Sequence, residues 1–160
     1  MRYSVNLLPD ALCERIFDCM PVARLAVLGT NDTPDVVPIV FARVGAKLYS
    51  PIDGKPKKHA RLARLDAIRA NPQVGLVLDY YSADWQSLWW IKLSCRAAVV
   101  DETLPDFGAV KQALQQKYPQ YREVDLFHGP PTAIEFSIAE QRWWASRGVA
   151  GVESWLAAAQ

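Results

Sequence analysis

The stretch "LWWIKLSCRAAVVD", residues 88–101, alternates along nearly its whole length. Ile91, Leu93, Cys95, Ala97 and Val99 fall on one side, and Trp90, Lys92, Ser94 and Arg96 on the other. A period of two is the signature of a β-strand, whose successive side chains point to opposite faces. One face suits a core; the other is polar enough to meet solvent or a partner. Upstream, the turn "SADWQS" separates this strand from another, "QVGLVLDYY" (73–81). Earlier still, "VARLAVLGT" (22–30), "VVPIVFARV" (36–44) and "KLYSPI" (47–52) read as three strands of an antiparallel meander. Their connections are the turn signal "TNDTPD" and the short turn Gly45–Ala46. Pro38 cannot donate a ladder hydrogen bond, so it belongs on an edge, at a bulge, or where a ligand rather than a strand faces the backbone.

Helical spacing surrounds these strands. Leu12, Ile16 and Phe17 predict a helix over about 9–19, started by Pro9 or Asp10. Leu62, Leu65 and Ile68 predict a second over about 57–70, inserted after the third strand and stopped by Asn71–Pro72. Phe107, Val110 and Leu114 predict a third over about 106–117. "TAIEFSIAEQRWWAS" (132–146) begins as a strand, and "GVESWLAAAQ" reads as a short terminal helix. The expected class is mainly β: a six- or seven-stranded antiparallel barrel, closed or partly closed, with peripheral helices.

With 160 residues, 51% of them hydrophobic, the chain suits one domain spanning 1–160. The formal net charge of +1 gives no global basic field, which argues against bulk attraction to nucleic acid. Cys13, Cys19 and Cys95 are an odd set without paired spacing, accompanied by two histidines. That argues against a disulfide framework and a zinc site, and for reduced thiols in a cytoplasmic protein. The first residues are broken by Pro9, Asp10 and Glu14, unlike a signal peptide. No apolar run approaches the roughly 18–20 residues of a membrane span. Glycine-rich nucleotide loops, hydrolase signatures and paired carboxylates are missing from the sequence, so no catalytic residue is assigned. An enzyme built from such a chain would borrow its chemistry from a cofactor.

Charge gathers at one place. From Lys55 to Arg69 there are six cations (Lys55, Lys57, Lys58, Arg61, Arg64, Arg69) against Asp66, a local +5. The predicted helix start adds unpaired N–H groups and the positive end of its dipole, a setting competent for phosphate. Pro56 stiffens the backbone between two of the lysines. The plainer readings are a solvated loop for Lys55, Lys57 and Lys58, and solvated helix surface for Arg61 and Arg64. Tryptophan gathers too: Trp85, Trp89 and Trp90 form one cluster, Trp143 and Trp144 another. A Trp–Trp pair on a strand sends one ring to each face. The outward ring suits an oligomer interface or a wall for a planar ligand.

The run "KLYSPIDGKPKKHARLARLDAIRANPQVGLVLDYYSADWQSLWWIK" resembles the flavin-binding split-barrel proteins related to pyridoxamine 5′-phosphate oxidase. It is most similar to their F420-dependent subgroup. The likeness covers roughly residues 20–146, and its most specific parts are Gly-Lys-Pro-Lys, Asn-Pro-x-Val and "DWQSLWWIK". The resemblance implies a homodimeric, cytoplasmic oxidoreductase with FMN or F420 at the subunit interface and a small-molecule substrate. Lys55 and Lys57, with Lys58 second, would hold the cofactor phosphate. Ser50, Pro51 and Ile52 would lie along the cofactor, and Pro38, Ile39 and Val40 would present backbone to its ring. Trp85 or Trp89 and the Trp143–Trp144 pair would approach from the other subunit. The tail "RWWASRGVAGV" lacks the Arg-x-His substrate motif of the true oxidases, which speaks against vitamin-B6 activity. The alternatives are a non-catalytic flavin-binding protein and a small barrel for single-stranded nucleic acid. The second requires aromatics interleaved with the basic patch, and none lies between Asp53 and Pro72.

Overall fold

In chain order the elements are α1 (Asp10–Cys19), β1 (Ala23–Leu28), β2 (Pro34–Ile39), β3 (Ala42–Val44), β4 (Lys47–Pro51), α2 (Lys58–Ala70) and β5 (Gln73–Tyr80). After them come β6 (Trp89–Asp101), α3 (Phe107–Lys117), β7 (Thr132–Ala145) and α4 (Gly148–Ala158). The computed structural model describes residues 7–52, 58–127 and 129–159, with 58–62 described in backbone alone. The strands pair antiparallel in the order β2-β1-β5-β6-β7-β4-β3, so the chain is mainly β as its alternation requires.

The two outermost strands are neighbours in sequence. β2 ends at Ile39 and β3 begins at Ala42, so Val40 and Phe41 alone join opposite ends of the sheet. The sheet therefore curls until its edges meet, and a barrel results. The sequence predicts one strand over 36–44; the structure divides it, its first half pairing with β1 and its second with β4. At the division the Tyr118 hydroxyl accepts from the Phe41 N–H (2.9 Å) and faces the carbonyls of Phe41 (2.8 Å) and Pro21 (2.9 Å), to which it donates. Burial and the need of these backbone groups for a partner explain the arrangement. Burial also pushes the Tyr118 phenol up to about 12, so it keeps its proton. Tyr118→Phe leaves the buried Phe41 N–H without its acceptor, and urea unfolding is expected to show a loss of about 1–3 kcal/mol. An unchanged midpoint would show that the hydroxyl does not hold the seam.

Inside the barrel, Leu25, Leu76, Leu78, Ile91, Leu93 and Phe136 form one core with the apolar faces of α1, α2 and α4. The register of β6 against β7 shifts between Ser94 and Cys95, where Ala139 is the extra residue. That bulge changes the phase of β7. Phe136 and Ile138 pair on the inward side before it, and Trp143, opposite Ile91, packs against the same core after it. Outside, α3 covers β3 and β4 through Ala42, Tyr49, Val110, Leu114, Tyr118 and Leu126. Within that layer Glu135 is buried, satisfied by the Lys47 ammonium (2.7 Å) and the Tyr49 hydroxyl (2.9 Å). Among the described residues no helix is long and apolar enough to cross a membrane.

Candidate cofactor-binding face

The outward side of β2, β1, β5, β6 and the second half of β7 presents side chains in rows fixed by the strand register. One row runs Val36, Ala26, Gly75, Ser94, Glu140, small in its middle and ending on a carboxylate in β7. The next runs Pro38, Arg24, Val77, Lys92, Arg142. Beyond it stand Asp79, Trp90 and Trp144. Opposed residues on adjacent antiparallel strands share a face, so Trp90 and Trp144 form one wall. Both rings are half-buried, and Val36 at the far edge is 62% exposed. The Arg24–Val77–Lys92–Arg142 row runs between the small row and the indoles, and the Trp90–Trp144 pair is the flat apolar wall of this face.

The paired tryptophans divide by face. Trp89 is 1% exposed, stacked edge-on against Trp155 with centroids 4.7 Å apart, and its indole N–H meets no acceptor among the described residues. The structure thus puts Trp89 in the core, away from any surface ligand. Trp143 packs partly against the same core. Trp85, in a single turn at the tip of the β5–β6 hairpin, is 77% exposed, and Tyr81 beside it is exposed as well. Of the remaining candidates, Pro38 lies exposed on the edge strand, Val40 and Ile52 are half-buried, and Ile39, Ser50 and Pro51 are buried. Pro38 and Trp144 sit on strands four places apart in the sheet, roughly 19 Å at about 4.8 Å per strand.

Lys55 and Lys57 lie outside the described residues, and Lys58 opens α2. Arg64 departs from the solvated surface expected of it. Its side chain is largely covered and lies 3.9 Å from Asp35, tying α2 to the edge strand β2. The i, i+3 spacing of Arg61 and Arg64 does not reveal this, because β2 arrives from elsewhere in the sequence.

A separate cavity of about 290 Å³ lies between α1, β3 and α3, lined by Asp18, Ala42, Arg43, Ala113, Gln116 and Lys117. Its charges satisfy one another. Arg43 makes two hydrogen bonds to Asp18 (3.0 and 2.8 Å), while Lys117 donates to the Phe17 carbonyl (2.6 Å) and lies 3.7 Å over the Phe41 ring. This lysine caps the C-terminal turn of α1, a structural task. No sequence pattern marks it, since Phe17, Phe41 and Lys117 come from three distant segments.

No family model matches this sequence, and no curated protein does. Solved structures match its shape. One is the conserved hypothetical protein Rv2991 from Mycobacterium tuberculosis, with TM-score 0.73 at 14% identity over 94% of this chain and 93% of that one. A second is HutZ, the heme storage protein from Vibrio cholerae, with TM-score 0.65 at 12% identity over 88% and 95%. A third is a FAD-binding protein from Mesorhizobium loti, with TM-score 0.63 at 19% identity over 85% and 94%. These likenesses show the fold alone: a mainly β split barrel.

Proposed function

We propose that this chain binds a flavin-type cofactor, FMN or F420, on the bare outer face of its barrel and acts as an oxidoreductase. The single observation that carries the reading is the Trp90–Trp144 wall, two half-buried indoles opposed across β6 and β7 on the outward face. The FAD-binding neighbour supports it, and so does the absence from the sequence of acid–base motifs. A bound flavin supplies hydride transfer to or from a small organic substrate, being itself reduced or oxidised in turn. The protein's part is to hold and orient: Lys55 and Lys57 at the phosphate, with Lys58 behind them, and Pro38 and Val40 toward the ring. A homodimer completes the site, with the exposed Trp85 at the hairpin tip reaching toward the second copy.

Visible absorbance of the purified protein, followed by titration with FMN, F420 and hemin, tests this reading. FMN or F420 is expected to bind at one per chain, and Lys55→Ala with Lys57→Ala to weaken it about 100-fold, two charge-assisted contacts being lost. A Soret band with hemin and no binding of either flavin would overturn it.

A further inference from the structure

Lys117 lines the cavity between α1, β3 and α3 together with Asp18, Ala42, Arg43, Ala113 and Gln116. Arg43 is already engaged there, bonded twice to Asp18 and 3.7 Å from Glu14. A charged ligand would compete with that pairing, whereas an uncharged one would not. The volume of about 290 Å³ suits a small molecule, and Ala42 and Ala113 make part of the wall apolar. A desolvated lysine in such a wall is a nucleophile. The titratable groups facing it are Asp18 and Cys19 on α1, Arg43 on β3 and its own neighbour Tyr118. Burial outweighs the pull of Asp18 and Cys19 and lowers the Lys117 ammonium to about 8. About a tenth of it is therefore neutral amine at pH 7. The neutral form keeps two N–H groups, enough for the Phe17 carbonyl at 2.6 Å and the Phe41 ring at 3.7 Å. Carbonyl oxygen and ring face both repel its lone pair, which is left for the cavity.

We propose that Lys117 is a covalent acceptor for a small uncharged aldehyde, which enters the α1–β3–α3 cavity and condenses with the ε-amine to an imine. The nitrogen lone pair attacks the carbonyl carbon, and one N–H proton passes to the oxygen. The resulting hydroxyl leaves with the second N–H proton as water, and a C=N bond remains. Nothing is oxidised or reduced. The site shares no residue with the Trp90–Trp144 face, so it stands apart from the cofactor reading.

The test incubates the full chain with limiting propanal and cyanoborohydride, which fixes an imine as a propylamine by hydride transfer. Peptide mass spectrometry then reads the adduct at each lysine. At pH 7, propylation of Lys117 is expected to exceed that of the exposed Lys92 about tenfold. The ratio is expected to fall toward one by about pH 10, because ordinary lysine amines lose their proton near 10.4. Gln116→Phe, at the exposed rim of the cavity, is expected to cut Lys117 labelling about tenfold with Lys92 labelling and the unfolding midpoint unchanged. Glyoxylate, an anionic aldehyde, is expected to show no preference for Lys117. A propanal ratio of one or less at pH 7 overturns the site. Labelling that survives Gln116→Phe at its full rate overturns it too, by showing that the cavity does not deliver the aldehyde. Glyoxylate labelling as selective as that by propanal overturns the uncharged class.

Discussion

Trp89→Ala is expected to destabilise the protein by about 3–5 kcal/mol, the usual range for emptying a buried aromatic position. The ring is fully enclosed, stacks against Trp155, and sits where β6 meets the helical end of the barrel. Removing it leaves a cavity against the Trp155 ring that the surrounding side chains collapse into only in part. Its neighbour gives the control. Trp90→Ala, one residue away on the opposite face, is expected to cost about 1 kcal/mol or less, in keeping with a half-buried surface position. On the reading given above it weakens FMN binding instead. Chemical denaturation of both variants separates the two roles. Equal destabilisation by the two would contradict the division of the pair. Because Trp89→Ala risks failing to fold, Trp89→Phe serves as a milder version, expected to fall between them.

The second large effect is alkaline unfolding. Burial pushes the Cys13 thiol up to about 11 and the Cys95 thiol up to about 12. Tyr49 and Tyr118 rise to about 12, also chiefly by burial, with Glu135 adding to the shift of Tyr49. Each of these groups stays protonated in the fold while the unfolded chain releases its proton. The unfolded state then binds fewer protons, and stability falls as pH rises from about 9 toward 12. Each group contributes a slope of up to about 1.4 kcal/mol per pH unit across its own window. Lys117 acts oppositely. Burial lowers its ammonium to about 8, so the unfolded chain holds the extra proton until about 10.4 and stability gains across that interval. The thiols and phenols outnumber it, and a steep loss above about pH 9 is expected in urea midpoints. Cys95→Ala is expected to flatten that loss, and an unchanged slope would show that Cys95 does not carry it.

Much of the fold was legible locally. The alternation of 88–101 appears in β6 with Ile91, Leu93, Cys95 and Ala97 buried and Lys92, Ser94 and Arg96 exposed. The helix over 9–19 appears as Asp10–Cys19, and of the three settings open to Pro38 the structure shows the edge. The strand over 36–44 was misjudged, because nothing in "VVPIVFARV" announces that its two halves belong to opposite edges. At that division stands the hydroxyl of Tyr118, 77 residues away from Phe41. The bulge in β7 was hidden for a similar reason, since an extra residue has meaning only against a paired strand.

The candidate site divides along the same line. Sequence alone marked the tryptophan clusters, the basic junction and the lack of catalytic motifs, because composition and period are local properties of a chain. It placed one ring of each Trp–Trp pair outward for the same reason. Only the tertiary structure decided which ring: Trp90 and Trp144 meet across β6 and β7, while Trp89 is in the core. Those outcomes depend on strand register and on the closing of the barrel, which bring distant residues together and which no local pattern encodes.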